Sequence, residues 1–144
     1  MSRSKALISG LAGALALTAA NKGLQKYTRK APKVDVFGVR AIKKGLKAIG
    51  LSRPGKKKLF GLSLGSDLLF NSLYYSLTAS GKRPLLRGSL LGLGAGAGTL
   101  SLPGILGFGK KQVGSSFKQR LLSVGIYLAG GLTAAGAYRL LSNR

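Results

Sequence analysis

Few side chains in this sequence could carry out chemistry. Among 144 residues there is no cysteine and no histidine, and Asp35 and Asp67 are the only acids. That composition excludes a disulfide, a thiolate nucleophile, an imidazole base and a zinc site of the usual nitrogen and sulfur type. No catalytic residue, cofactor or metal site is therefore expected, and the chain reads as a non-enzyme. The lack of cysteine does not fix the redox compartment, because a membrane bundle needs no disulfides. Asp67 is the sharpest feature left. It lies near the middle of residues 59–79, an apolar run that makes a helix of about 31 Å at ~1.5 Å per residue, one hydrocarbon thickness.

On that helix, at about 100° per residue, Ser63, Asp67, Asn71, Tyr74 and Thr78 fall within an arc of about 80° and form a continuous polar stripe. A carboxylate at bilayer depth costs about 2.5–3.5 kcal/mol on insertion scales, so it calls for a partner, a proton or a purpose. The structural reading is a carboxyl satisfied by Ser63, Asn71 or a tyrosine. The functional reading is a proton or cation site at the centre of a bundle, and the structural one is favoured. Arg87, Arg120 and Arg139 sit toward the ends of their segments, so only a long side chain reaching inward could pair with Asp67. Asp35 stands at the start of a helical pattern, where capping of free amides is favoured over catalysis.

Residues 50–57 and 104–111 both read G-x-x-x-x-G-K-K, close to a phosphate-binding loop. Both lack the Ser or Thr that would hold magnesium, and neither lies between a strand and a helix, so they read as Gly and Lys turns.

The elements that must position these residues follow from hydropathy. Apolar residues gather in four blocks, and the expected fold class is all-α: an integral membrane four-helix bundle forming one domain over residues 1–144. The spans are expected at about 6–26, 59–79, 85–106 and 117–141. A basic amphipathic helix at about 35–50 should lie in the interface, its apolar Phe37, Ala41, Ile42, Leu46 and Ile49 opposite Arg40, Lys43, Lys44 and Lys47. Gly50 is placed to end it. The first block also imitates a secretory signal, with a basic start and a Thr18-Ala19-Ala20 cleavage site. Thirteen positive residues follow it against two before it, which favours a retained anchor with its N-terminus outside.

Small residues mark the expected helix contacts. Gly10, Ala14, Thr18 and Asn21 share a face of the first span, and Gly61 and Gly65 have GxxxG spacing on the second. The third carries Gly88, Gly92 and Gly96 on one face and Gly94 and Gly98 on another, which suits a central helix between two neighbours. Pro103 should kink or end it. The fourth carries Gly125, Ala129 and Gly136 on a shared face. Leu11-Ala12-Gly13-Ala14-Leu15 and Leu128-Ala129-Gly130-Gly131-Leu132 look alike through shared composition rather than as an inverted repeat.

The formal charge is +22, from 24 Lys and Arg. Such a balance suggests nucleic acid or an anionic membrane surface, but no folded basic face with stacking aromatics is evident, so nucleic acid is not the expected partner. Arg40, Lys43, Lys44 and Lys47, with Lys56, Lys57 and Lys58, are expected to hold anionic lipid headgroups, each worth about 1 kcal/mol near the surface. For four spans, the first and third loops hold 17 basic residues and the remaining exposed segments 7. The basic loops should then be cytoplasmic and both termini outside.

Ala31-Pro32-Lys33-Val34-Asp35, Tyr74-Tyr75-Ser76-Leu77, Leu102-Pro103 followed by Leu106-Gly107, and Tyr127-Leu128-Ala129-Gly130-Gly131 resemble a family of small, uncharacterised bacterial multi-pass membrane proteins. The likeness covers nearly the whole chain, and the expected location is a bacterial inner membrane. Members of that family often carry a His-Glu pair where this chain has Asn21-Lys22, so a role for that pair does not carry over. The resemblance implies architecture and no activity. The expected function is a structural or accessory component of the membrane, alone, as a homo-oligomer or with a membrane partner. The alternative is a small oligomeric transporter or channel coupling protons or cations through Asp67.

Overall fold

The computed structural model describes residues 2–27, 34–52, 54–105, 107 and 116–143. Every regular element among them is helical: α1 Arg3–Tyr27, α2 Val34–Ala48, α3 Lys56–Ser76, α4 Pro84–Ile105 and α5 Phe117–Ser142, with a 3-10 turn at Leu77–Ser80 closing α3. Local signals account for several of the ends. Gly50 takes a left-handed φ of 76°, its amide donates to the Lys47 carbonyl and the Leu51 amide to the Leu46 carbonyl, the paired bonds of a Schellman stop. At α5 the Ser116 hydroxyl accepts from the Gln119 amide at 3.2 Å, the first half of a Ser-x-x-Gln capping box. α4 runs through Pro103 and ends at Ile105. The side chains of Asp35 and Phe37, residue 53 of the first Gly-Lys motif and residues 106 and 108–111 of the second lie outside the described residues.

α1 packs on α3 along one side and on α5 along the other, α4 packs on α5, and α2 rests on α3. α1 and α3 are antiparallel: Gly10 lies against the Ser72 backbone near one end, and Lys22 reaches Phe60 near the other. α4 and α5 are also antiparallel, Gly88 meeting Gly131 and Gly96 meeting Val124. Contacts of α3 with α4 are sparse.

The small-residue faces therefore divide. A Cβ at Gly92 would stand 2.7 Å from the Leu128 Cα, and one at Gly96 2.8 Å from the Val124 Cα, so α4 and α5 touch backbone to backbone. Among the described residues Gly98 meets no neighbour, and a Cβ at Gly94 would reach the Tyr74 hydroxyl alone, at 3.4 Å. α4 thus has one packing face and stands at the edge, contrary to its expected central place. Gly61, Gly65 and Gly125 also have open space where a Cβ would project, so among the described residues none makes the helix contact its spacing suggests. On α5 the contacts come from the opposite side, through Tyr127, Gly130, Gly131, Ala134 and Ala135, all buried. On α1 the expected face holds: Gly10, Ala14 and Asn21 are buried, joined by Ser9, Gly13 and Leu17.

Among the described residues the interior is made largely of small and polar residues, with Leu17, Leu59, Tyr75, Ile126 and Tyr127 as its large apolar members. Ala14, Ala134, Ala135, Ser9, Thr78, Ser123 and Tyr75 have no exposure at all. Large apolar side chains point the other way: Ile8, Leu15, Leu69, Phe70, Leu90 and Leu121 are each half or more exposed. Two helices, α1 and α5, are long and apolar enough to cross a membrane. Only 33% and 39% of their most apolar windows are buried within the chain, so most of their apolar length faces outward. α3 and α4, the other two expected spans, are not long and apolar enough by the same measure.

Candidate functional site

α3 presents its polar stripe inward along most of its length, and the five residues separate into three groups. Ser63 is buried and Asp67 partly so, and both line a cavity of about 40 Å³ between α1, α3 and α5. Asn71 stands one turn further along. Its amide nitrogen donates to the Asp67 carboxylate at 2.9 Å and to the Asp67 backbone carbonyl at 2.9 Å, so the stripe satisfies part of its own charge. Tyr74 and Thr78 belong elsewhere. The Tyr74 hydroxyl donates to the Leu91 carbonyl at 2.9 Å and ties α3 to α4. Thr78 is fully buried in the 3-10 turn, and its hydroxyl has no partner among the described residues.

Opposite Asp67, α1 contributes Leu17, Thr18, Asn21 and Lys22 to the cavity, and α5 contributes Ile126 and Tyr127. Asn21 is 8% exposed. Its Oδ1 and the Thr18 Oγ1 are buried with no hydrogen-bond partner among the described residues. Buried polar atoms are rarely left so, because an unmade hydrogen bond costs about 1–3 kcal/mol. Lys22 stands exposed at the rim with its ammonium 4.9 Å from the centre of the Phe60 ring, within cation–π range. It is the long cationic side chain that shares a cavity with Asp67. Arg87, in contrast, bonds Ser80 at the 3-10 turn.

Beneath the cavity lies the core that α3 shares with α1 and α5. The Tyr75 hydroxyl donates to the Tyr127 carbonyl at 2.7 Å, and its ring meets Tyr74 edge-on with centroids 5.5 Å apart. Leu17, Ile126, Tyr127 and Ala134 pack around it. The sequence pattern singled out Tyr74 and passed over Tyr75, whose acceptor is a backbone carbonyl on another helix and leaves no trace in side-chain periodicity. Thr18 and Asn21 were legible as one face of α1, but nothing in the sequence set them opposite Asp67.

The basic residues lie apart from this site. Arg40, Lys43, Lys44 and Lys47 are exposed along α2, and Lys56, Lys57 and Lys58 are exposed where α3 begins. The Gly50–Lys57 motif joins two helices, with no strand before it. Among the described residues no cluster of three or more acidic, histidine or cysteine side chains could hold a metal ion. No family model, curated protein or solved structure matches the chain.

Proposed function

We propose that this protein is an integral membrane four-helix bundle, with α1, α3, α4 and α5 as spans and α2 lying in the interface. It serves as a non-enzymatic structural or accessory component of a bacterial inner membrane. One observation carries the reading: beyond a small cluster of Leu17, Leu59, Tyr75, Ile126 and Tyr127, the described interior is alanine, glycine and small polar residues, while most of the leucines and phenylalanines lie outside, the reverse of a water-soluble domain. In water, burial of large apolar side chains drives folding. In lipid that drive is absent between helices, and small residues that let backbones approach take its place. The exposed cations of α2 and of the start of α3 suit anionic headgroups. Alkaline carbonate washing of membranes tests the first claim. The protein should stay in the pellet, and release into the supernatant would remove the proposal.

A second reading, transport of protons or cations through an oligomer, is favoured by the cavity that holds Asp67 beside Thr18 and Asn21. Four spans leave little room for a pathway within one chain, so transport would need a second copy. Flux across vesicles reconstituted with the wild type should be lost in Asp67→Asn; vesicles that pass neither protons nor cations would exclude this reading.

A further inference from the structure

We infer that the cavity between α1, α3 and α5 is a binding site for one monovalent metal cation of about sodium's size, held by Asn21, Thr18 and Asp67. The inference shares with the transport reading only the placing of Asp67 in this cavity; a bound ion can equally serve as a structural staple.

Three features of the site lead to this ligand. The first is its donor set, which is all oxygen: the Asn21 amide carbonyl, the Thr18 hydroxyl and the Asp67 carboxylate. Oxygen donors suit hard cations. The Asp67 carboxylate accepts a bond from Asn71, and two carboxylate oxygens offer about four lone pairs in all. The second is the orphaned state of the two neutral donors: Asn21, 92% removed from solvent by its 8% exposure, carries an amide oxygen with no partner among the described residues, and the Thr18 hydroxyl is in the same position. A ligand that accepts lone pairs satisfies both at once. The third is size. The cavity measures about 40 Å³, a few times the ~10–15 Å³ that one water needs and far below the ~300 Å³ of a small-molecule pocket.

Charge selects between mono- and divalent ions. Calcium and magnesium sites draw on several carboxylates or on substrate phosphates, whereas Asp67 is, among the described residues, the one carboxylate lining this cavity. Lys22 gives the site a built-in opposing charge. Its ammonium rests over Phe60 at the rim of the same cavity. That fixed positive charge repels a second cation, so removal of the Lys22 charge should tighten binding.

The test is titration calorimetry of the full chain, purified in neutral detergent in choline chloride and titrated with sodium chloride at constant ionic strength, beside lithium and potassium. Wild type should give a saturable one-site heat for sodium and a matching rise in melting temperature. Thr18→Val and Asn21→Leu should weaken binding about tenfold or more, the loss of one bond to a charged group, and Asp67→Asn should abolish it. Lys22→Met should bind more tightly than wild type. No saturable heat with wild type, meaning that the cavity holds water alone, would overturn the proposal whatever the variants do. So would unchanged affinity in Thr18→Val together with unchanged affinity in Lys22→Met. Binding without flux in reconstituted vesicles would keep the site and remove transport.

Discussion

Tyr75 is, among the described residues, the largest side chain with no exposure, and its phenol ties α3 to α5 through the Tyr127 carbonyl. Tyr75→Phe keeps the ring and loses the bond, so it should cost about 0.5–1.5 kcal/mol. Tyr75→Ala also opens a cavity and should cost about 3–5 kcal/mol, by comparison with other aromatic truncations in cores. Tyr27, 84% exposed, supplies the control, and Tyr27→Ala should leave stability unchanged. Unfolding by denaturing detergent, followed by circular dichroism, reads all three; equal effects at positions 27 and 75 would contradict the packing described. At this scale the sequence revealed Ser63, Asp67 and Asn71 as a unit, because periodicity along one helix is local. It hid Tyr75 and the α1 side of the cavity, because those relations depend on which helices meet.

Spacing of small residues located helices better than it located their contacts. Gly88, Gly92 and Gly96 form the α4 face against α5, whereas Gly61, Gly65 and Gly125, with the same kind of spacing, meet no neighbour among the described residues. The reason is physical: a smooth face permits close approach but does not name a partner, and in lipid a face without a partner carries no large penalty. Gly92→Leu should therefore separate α4 from α5 and lower the detergent melting point, while Gly61→Leu and Gly125→Leu should leave it in place. A drop for Gly61→Leu equal to that for Gly92→Leu would show that α3 packs through the wrong face here. α2 was legible nearly to the residue, since its alternation of basic and apolar positions and its Gly50 stop are both local. With four exposed cations at Arg40, Lys43, Lys44 and Lys47, replacing all four by Gln should remove about 1 kcal/mol of anionic-lipid attraction each. Native mass spectrometry in mixed lipid should show fewer retained anionic lipids, and retention that is unchanged, or insensitive to salt in the wild type, would point to another role for α2.

For the whole molecule, the question is what surrounds it. All-helical architecture and the helix boundaries followed from four apolar blocks and their punctuation by Gly, Pro and basic residues. The order of helices around the bundle did not follow, because α1 and α5 are far apart in sequence and are matched through Gly13, Gly130 and Ala134, residues too small to leave a hydropathy signal. The outward-facing leucines and phenylalanines and the inward-facing alanines, serines and glycines make sense together if lipid is the solvent on every side of the bundle.

The most direct test of that claim is a set of single-cysteine variants in intact cells, which a chain with no native cysteine allows without background. Ser2→Cys, Ser52→Cys, Lys82→Cys, Phe70→Cys and Asn143→Cys would each be probed with a membrane-impermeant maleimide. The account predicts labelling from outside at positions 2, 82 and 143, protection of position 52 until the membrane is opened, and no reaction at position 70 in either case, because lipid covers it. Rapid labelling of the Phe70→Cys thiol in sealed cells and opened ones alike, or positions 52 and 82 reacting from the same side, would contradict it.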